Sequence, residues 1–186
     1  MHGSLFYGFK QFVVARDGTE AWSAIAKVGS VGGWYHSTGS YPDDEMAALV
    51  RATAARQGRQ VPVVLEDFGV ALVPTLMSLY KAFIIDSWRT LDVLLNVEDV
   101  IHRTVRMRDR EARPPHLRPR RVSADEVHIE YASKRRLCAV AIGICRGLAA
   151  YYGEGVVIEQ PECMEKGASA CRIVVRLVPG HTAEQR

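Results

Sequence analysis

Val127-His128-Ile129-Glu130-Tyr131-Ala132-Ser133-Lys134-Arg135 is the stretch on which the reading of the fold turns. Val127 to Glu130 alternates apolar and polar residues, the period of a half-buried strand. Residues two apart on a strand share a face, so Tyr131, Ser133 and Arg135 are predicted to project together. They bring a phenol, a hydroxyl and a guanidinium; all three donate hydrogen bonds and only the arginine is charged. A guanidinium grips carboxylates and phosphates through a fork of N–H groups. The cluster reads either as a clamp for an anionic ligand, such as one with two carboxylates, or as the polar side of a strand edge facing water.

Outward from that stretch, Leu117 to Val122 is predicted as a preceding strand, with a turn at Ser123-Ala124-Asp125. Arg136 to Tyr152 is apolar and Ala-rich, a helix ended by Gly153. Gly155–Glu159 and Ala170–Leu177 read as two more strands around a loop holding Cys163 and Gly167. Upstream the pattern is helical. Leu5, Phe6, Phe9, Phe12 and Val13 have helical spacing over 3–16, and Gly18 ends that run. A second helix runs from Thr19 to Gly29. Ser30 to Ser40 is a loop anchored by Trp34 and Tyr35. Pro42-Asp43-Asp44-Glu45 opens a helix that ends at Gly58, its acids favouring the positive end of the helix dipole. Val61 to Leu72 is predicted helical and interrupted by Pro74, with a further helix carrying Leu76, Leu79, Tyr80 and Phe83. The last helix of this half starts near Leu91, with the stripe Leu91, Leu94, Leu95, Ile101, His102 and Val105, and stops after Arg110. Pro114, Pro115 and Pro119 forbid helix beyond it. A helical first half followed by strand-strand-helix-strand-strand is an α+β arrangement with a small four-stranded antiparallel sheet.

The 186 residues support one domain. It divides into a helical subdomain of about residues 1–60 packed on a sheet subdomain of about residues 61–180. Composition is that of an ordinary globular protein. No single apolar run reaches membrane-span length, and the start lacks a signal-peptide layout, so a cytoplasmic location without membrane insertion is expected. In that reducing compartment the four Cys are expected as thiols or metal ligands. The net charge is only +3, but Arg103, Arg106, Arg108, Arg110, Arg113, Arg118, Arg120 and Arg121 crowd one segment. Few aromatics interleave them, which argues against nucleic acid. The segment reads as a solvated basic face or a docking surface for an acidic protein. No nucleophile motif or paired-acid arrangement marks an enzyme.

His102 lies on the apolar stripe of its helix. It is either a core histidine with a satisfied nitrogen or a metal ligand, since neutral imidazole is a common donor to haem iron.

In order and spacing, Met1-His2-Gly3, His102, Pro114-Pro115 and Tyr131-x-Ser133-x-Arg135 together resemble the haem-nitric oxide/oxygen binding (H-NOX) family over essentially the whole chain. The resemblance implies the H-NOX fold and a ferrous haem b with His102 as axial iron ligand. Tyr131, Ser133 and Arg135 would hold the haem propionates. Pro115 would pack against the haem and help bend it, with Pro114 as the neighbouring alternative. Family members that bind dioxygen carry a distal Tyr on the helix after the motif; the matching place here is Val140, with Ile144 one turn on. Leu5 and Phe9 look distal by similarity. None of the four donates a hydrogen bond, and Tyr7 lies off the Leu5/Phe9 face. Bound dioxygen takes on negative charge and favours a donor, whereas nitric oxide does not need one. The resemblance therefore implies a nitric oxide and carbon monoxide sensor that excludes dioxygen. Stand-alone bacterial relatives signal to a separate histidine kinase or cyclic-dinucleotide enzyme, so a protein partner is implied.

Some bacterial members carry zinc on three Cys and one His. Cys138, Cys163 and Cys171 match, but Gln160 stands where the His is expected. Cys145 is seven helical residues from Cys138, about 10.5 Å along the axis, and is a poor substitute. Zinc, a Cys163–Cys171 disulfide and buried thiols all stay open, as does a haem-independent thiol or zinc redox or small-molecule sensor on the same fold.

Overall fold

The computed structural model describes residues 1–108 and 112–178. The chain forms two compact units, Met1–Phe68 and Gly69–Arg186. In the first, helix α1 (Gly3–Asp17) starts where His2 Nδ1 accepts from the Ser4 N–H at 3.2 Å. Gly3 is required there: a Cβ would lie 2.0 Å from the His36 carbonyl oxygen and 2.9 Å from that of Gly39. Helices α2 (Thr19–Val28) and α3 (Asp43–Gln57) follow, the latter closed by Gly58 at φ 61°, a conformation that costs glycine least. Phe6, Phe9, Val13, Ile25 and Leu49 are fully buried, each contributing about 1.5–3 kcal/mol over exposure. Phe9 meets Phe68 edge to face at 5.1 Å. Of the two expected loop anchors, only Tyr35 serves: it is buried and its hydroxyl donates to Glu45 at 2.9 Å. Trp34 is 83% exposed, with the Lys10 ammonium over its ring, because Trp22 already fills the core beneath Gly33.

Pro74 does not divide the next segment. A single helix α4 runs Val61–Leu79 with Pro74 inside it. A helical proline deprives the carbonyl four residues back of its donor. That carbonyl, on Val70, is met by Gly147 of helix α7 (Cys138–Tyr151), whose Cβ position would be 3.0 Å away. Gly69 makes a second close crossing with α7: a Cβ there would sit 2.3 Å from the Val140 oxygen and 2.9 Å from Gly143 Cα. Because the two apolar runs join across Pro74, α4 is long and apolar enough by length and composition to cross a membrane. Val64, Leu65, Phe68, Leu72, Val73 and Met77 on it are buried in the protein.

The second unit continues with α5 (Thr90–Asn96), a π-helical turn (Val97–His102) and α6 (Arg103–Arg108). The stripe read as one regular helix is thus widened at its centre. Arg110, its expected end, and the tail after Pro179 lie outside the described residues. Strands β1 (His116–Arg121), β2 (Glu126–Ala132), β3 (Gly155–Glu162) and β4 (Cys171–Val178) form one antiparallel sheet in the order β1-β2-β4-β3. Val127, Ile129 and Tyr131 face inward opposite Val175, Ile173 and Cys171. β3 extends past its expected end through an irregularity between Glu159 and Glu162, around Pro161, a residue that an edge strand tolerates. This α+β architecture agrees with the sequence reading.

Gly69→Ala forces backbone apart at the α4/α7 crossing. Overpacking of this kind costs about 1–3 kcal/mol, so a thermal melt should show Tm lowered by roughly 2–12 °C; an unchanged Tm would refute the crossing as drawn.

Candidate functional site

His102 closes the π turn, whose wider ring carries the backbone past regular helical phase; such turns recur at functional sites. Its ring keeps 15% exposure, enough for one edge to be reached by a ligand. Its Nδ1 and Glu98 Oε2 are 2.9 Å apart. The same carboxylate accepts from the Arg106 guanidinium at 2.6 Å and from the Leu117 N–H at 3.2 Å. Arg106 also donates to the Pro115 carbonyl at 3.5 Å. Burial pushes His102 below the ordinary imidazole range and outweighs the hydrogen bond it gives to Glu98. Burial pushes Glu98 up, but the donors His102, Arg106 and Leu117 N–H outweigh it and hold that carboxyl below its usual range. The pair is therefore a neutral imidazole beside a carboxylate. The ring also hydrogen-bonds the Pro115 carbonyl; with Nδ1 engaged by Glu98, Nε2 would be the nitrogen to offer a metal, the usual division of labour at a ligating histidine. The donor set fits a haem iron.

Glu98 and Arg106 were not singled out as site residues from the sequence. The signal was present: Glu98 precedes His102 by four residues, the spacing at which helical side chains meet. Nothing in the sequence pairs either residue with Leu117 or Pro115, which are brought close by the return of the chain into β1.

The motif Tyr131, Ser133 and Arg135 is not delivered by strand alternation. β2 ends at Ala132, because Ser133 starts a turn: its Oγ accepts from the Arg135 N–H at 3.2 Å and its carbonyl from the Arg136 N–H at 3.1 Å. Arg136 sits at φ 52°, a region few non-glycine residues adopt. Tyr131 is buried and its hydroxyl shares a hydrogen bond with Ser133; burial pushes the phenol up to about 12. Arg135 turns back to donate to the Arg113 carbonyl at 2.6 Å. Tyr131 and Ser133 are thus adjacent through the turn, and Arg135 is tied to the segment that carries Pro114 and Pro115.

Leu5 and Phe9 belong to the first unit, where Phe9 is fully buried and Leu5 half-buried. Val140 and Ile144 lie on α7 of the second unit, buried and half-buried. Tyr7 is exposed.

Cys138, Cys163 and Cys171 converge: their sulfurs lie within 4.8 Å of one another, all three residues buried. Cys138 and Cys163 Sγ are 3.8 Å apart, and the Met164 N–H donates to Cys171 Sγ at 3.2 Å. Burial raises the thiols of Cys138 and Cys171, the latter to about 12; without a metal they are inert thiols. Gln160 lies beside Cys138, and its buried side-chain amide is directed at that thiol. Cys145 stands apart, fully enclosed and raised to about 12 by burial.

The described part of the basic segment is largely paired: Arg106 with Glu98, Arg118 with Glu130, Arg121 with Asp92. On edge strand β1, Arg118 and Arg120 share one face, and Arg121 at its end is exposed as well.

Comparison with known proteins places these features in context. The sequence model of the haem-NO-binding family matches residues 2–160. The comparison with curated proteins returned no match. Among solved structures, an H-NOX protein from Shewanella oneidensis in its Fe(II)NO state superposes with a TM-score of 0.88 at 26% identity, covering 96% of this chain and 99% of that one. The Fe(II)CO state of the H-NOX domain from that organism gives 0.85 at 26% identity, with the same coverage. Unliganded Fe(II) H-NOX protein from K. algicida gives 0.87 at 19% identity, covering 97% of this chain and 98% of that one, and supports the fold alone.

The titration of the His102–Glu98 pair sets a pH dependence. Both groups bind protons less readily when folded, so the unfolded chain takes them up first and stability falls on acidification. His102 contributes stability that is present above the ordinary value of 6.5 and lost as pH falls below it. The Glu98 contribution is lost later, below 4.5. Thermal melts of haem-free protein should show Tm falling from near pH 6.5 downward. His102→Gln should flatten the slope between pH 7 and 5.5.

Proposed function

The chain belongs to the haem-NO-binding (H-NOX) family of haem-based gas-sensor domains, and from that premise we propose that it senses nitric oxide at a ferrous haem b held by His102. The observation that carries the reading is the neutral His102 imidazole whose Nδ1 is engaged by Glu98. When bound, the haem supplies a coordination position for a diatomic gas and an iron–histidine bond that the gas weakens. Every other contribution comes from the chain. Tyr131, Ser133 and Arg135 would hold the propionates, with Arg135 as the charged member. Pro115 would pack on the macrocycle. By the family resemblance the distal positions would be Leu5, Phe9, Val140 and Ile144; none donates a hydrogen bond, which would favour nitric oxide and carbon monoxide and exclude dioxygen. Nitric oxide and carbon monoxide are the ligands named for the S. oneidensis structures. The protein is a sensor without turnover, working in the cytoplasm. His102, through Glu98, would couple the π turn to the start of β1, so that a ligand favouring one arrangement of these segments could bias one of two conformations. A partner enzyme, a histidine kinase or a cyclic-dinucleotide enzyme, would read that change, with the arginines of β1 offering a basic surface to it.

A second reading rests on the thiol cluster. Three cysteines give zinc one donor fewer than its usual four, and the Gln160 side chain stands where a fourth would be needed. Metal analysis of purified protein tests it: one zinc per chain, lost in Cys163→Ser, supports a metal or redox role, and metal-free protein with titratable thiols reduces the cluster to core packing.

Visible spectra of the reduced protein test the main reading. A five-coordinate ferrous haem that shifts with nitric oxide and with carbon monoxide, and in air only oxidises, is expected. Protein that stays colourless after reconstitution would overturn it. His102→Gly should lose the iron–protein bond and ordinary haem retention. Arg135→Ala should weaken haem retention, and unchanged occupancy in that variant would count against the clamp.

A further inference from the structure

We propose that Glu98 sets the strength of the iron–histidine bond, acting as a positioning residue that draws on the Nδ1 proton of His102; the proposal rests on the haem reading above. Three observations point to this role. Nδ1 lies 2.9 Å from Glu98 Oε2, a hydrogen-bonding distance. The carboxylate is itself held by Arg106 at 2.6 Å on one oxygen and by the Leu117 N–H at 3.2 Å on the other, so it cannot swing away to solvent. The acceptor is an anion, and hydrogen bonds to charged partners are roughly twice as strong as neutral ones.

An anionic acceptor on Nδ1–H moves electron density onto Nε2. It makes the imidazole a stronger donor to iron. Arg106 opposes this: its guanidinium shares the same carboxylate and draws charge from it. The two residues therefore tune the bond in opposite directions, Glu98 strengthening it and Arg106 moderating it. The consequence for sensing is a set-point. A stronger bond to His102 resists release on nitric oxide binding, and a weaker one yields sooner. Leu117 gives the arrangement an outlet, because the carboxylate that feels His102 also holds the start of β1.

The test uses the haem-loaded full chain in the ferrous state. Resonance Raman reads the iron–histidine stretching band directly, and a redox titration reads the Fe(III)/Fe(II) potential. Glu98→Gln keeps the shape and a neutral acceptor, so the band should move to lower frequency and the potential should rise. Arg106→Ala should move the band to higher frequency. In Glu98→Leu, which removes the acceptor, haem loss should accelerate by about tenfold or more, the low end of what loss of a metal ligand's partner costs. If Glu98 only tied the π turn to β1, Tm would fall while the band stayed fixed; that result overturns the proposal and leaves the haem reading intact. If Glu98→Gln does not fold, Arg106→Ala alone decides, since a fixed or lowered band there also overturns it. A wild-type chain that takes up no haem overturns both readings together.

Discussion

A half-buried carboxylate must find donors or go protonated, and Glu98 finds three. His102 comes from four residues along the same segment, Arg106 from the next helix, and the Leu117 N–H from a strand nineteen residues away. Each donor constrains a different piece of chain. The imidazole is fixed in orientation and tautomer, α6 is held to the π turn, and β1 is started beside both. The Pro115 carbonyl, just ahead of β1, adds a second tie: it accepts from Arg106 at 3.5 Å and from the His102 ring. The placement of the candidate iron ligand therefore leans on acceptors that are not ligands.

The second constraint is steric. Pro74 leaves the Val70 carbonyl without its helical donor, and Gly147 of α7 passes so close to it that a side chain there would collide. Gly69 and Gly143 let the same two helices touch backbone to backbone. Close contact of this kind fixes α7, and with it the turn from Ser133 to Leu137 that precedes the helix. The left-handed Arg136 is the local cost of ending β2 and starting α7 within a few residues. Functional turns commonly hold such residues, kept in place by the structure on either side.

The thiol cluster shows how packing can create a site that is neither forced nor forbidden by the fold. Tyr131 pairs with Cys171 across β2 and β4, and α7 begins with Cys138 against the same face. The three sulfurs meet because these elements meet. They are buried well enough to be plain core, and near enough to serve a metal.

Much of the molecule was legible from its sequence. The alternation of Val127 to Tyr131 announced the central strand, the acidic start and Gly58 bounded α3, and the prolines after Arg113 excluded helix, because these signals depend on neighbours within one turn or one pleat. The α+β class followed from their order. His102 was legible as the one histidine on an apolar stripe, and the motif of Tyr131, Ser133 and Arg135 by its spacing. What the tertiary structure alone decided lies where distant segments meet. Pro74 reads as a break because its local effect is to break, and only the tertiary structure shows one helix running through it against α7. Ser133 and Arg135 read as strand positions, and only the turn into α7 shows them as loop. The spacing of Glu98 to His102 was visible, but a carboxylate four residues from a histidine means little until Arg106 and Leu117 close around it. Periodicity records which face of an element is buried; it carries no information about which other element arrives to bury it.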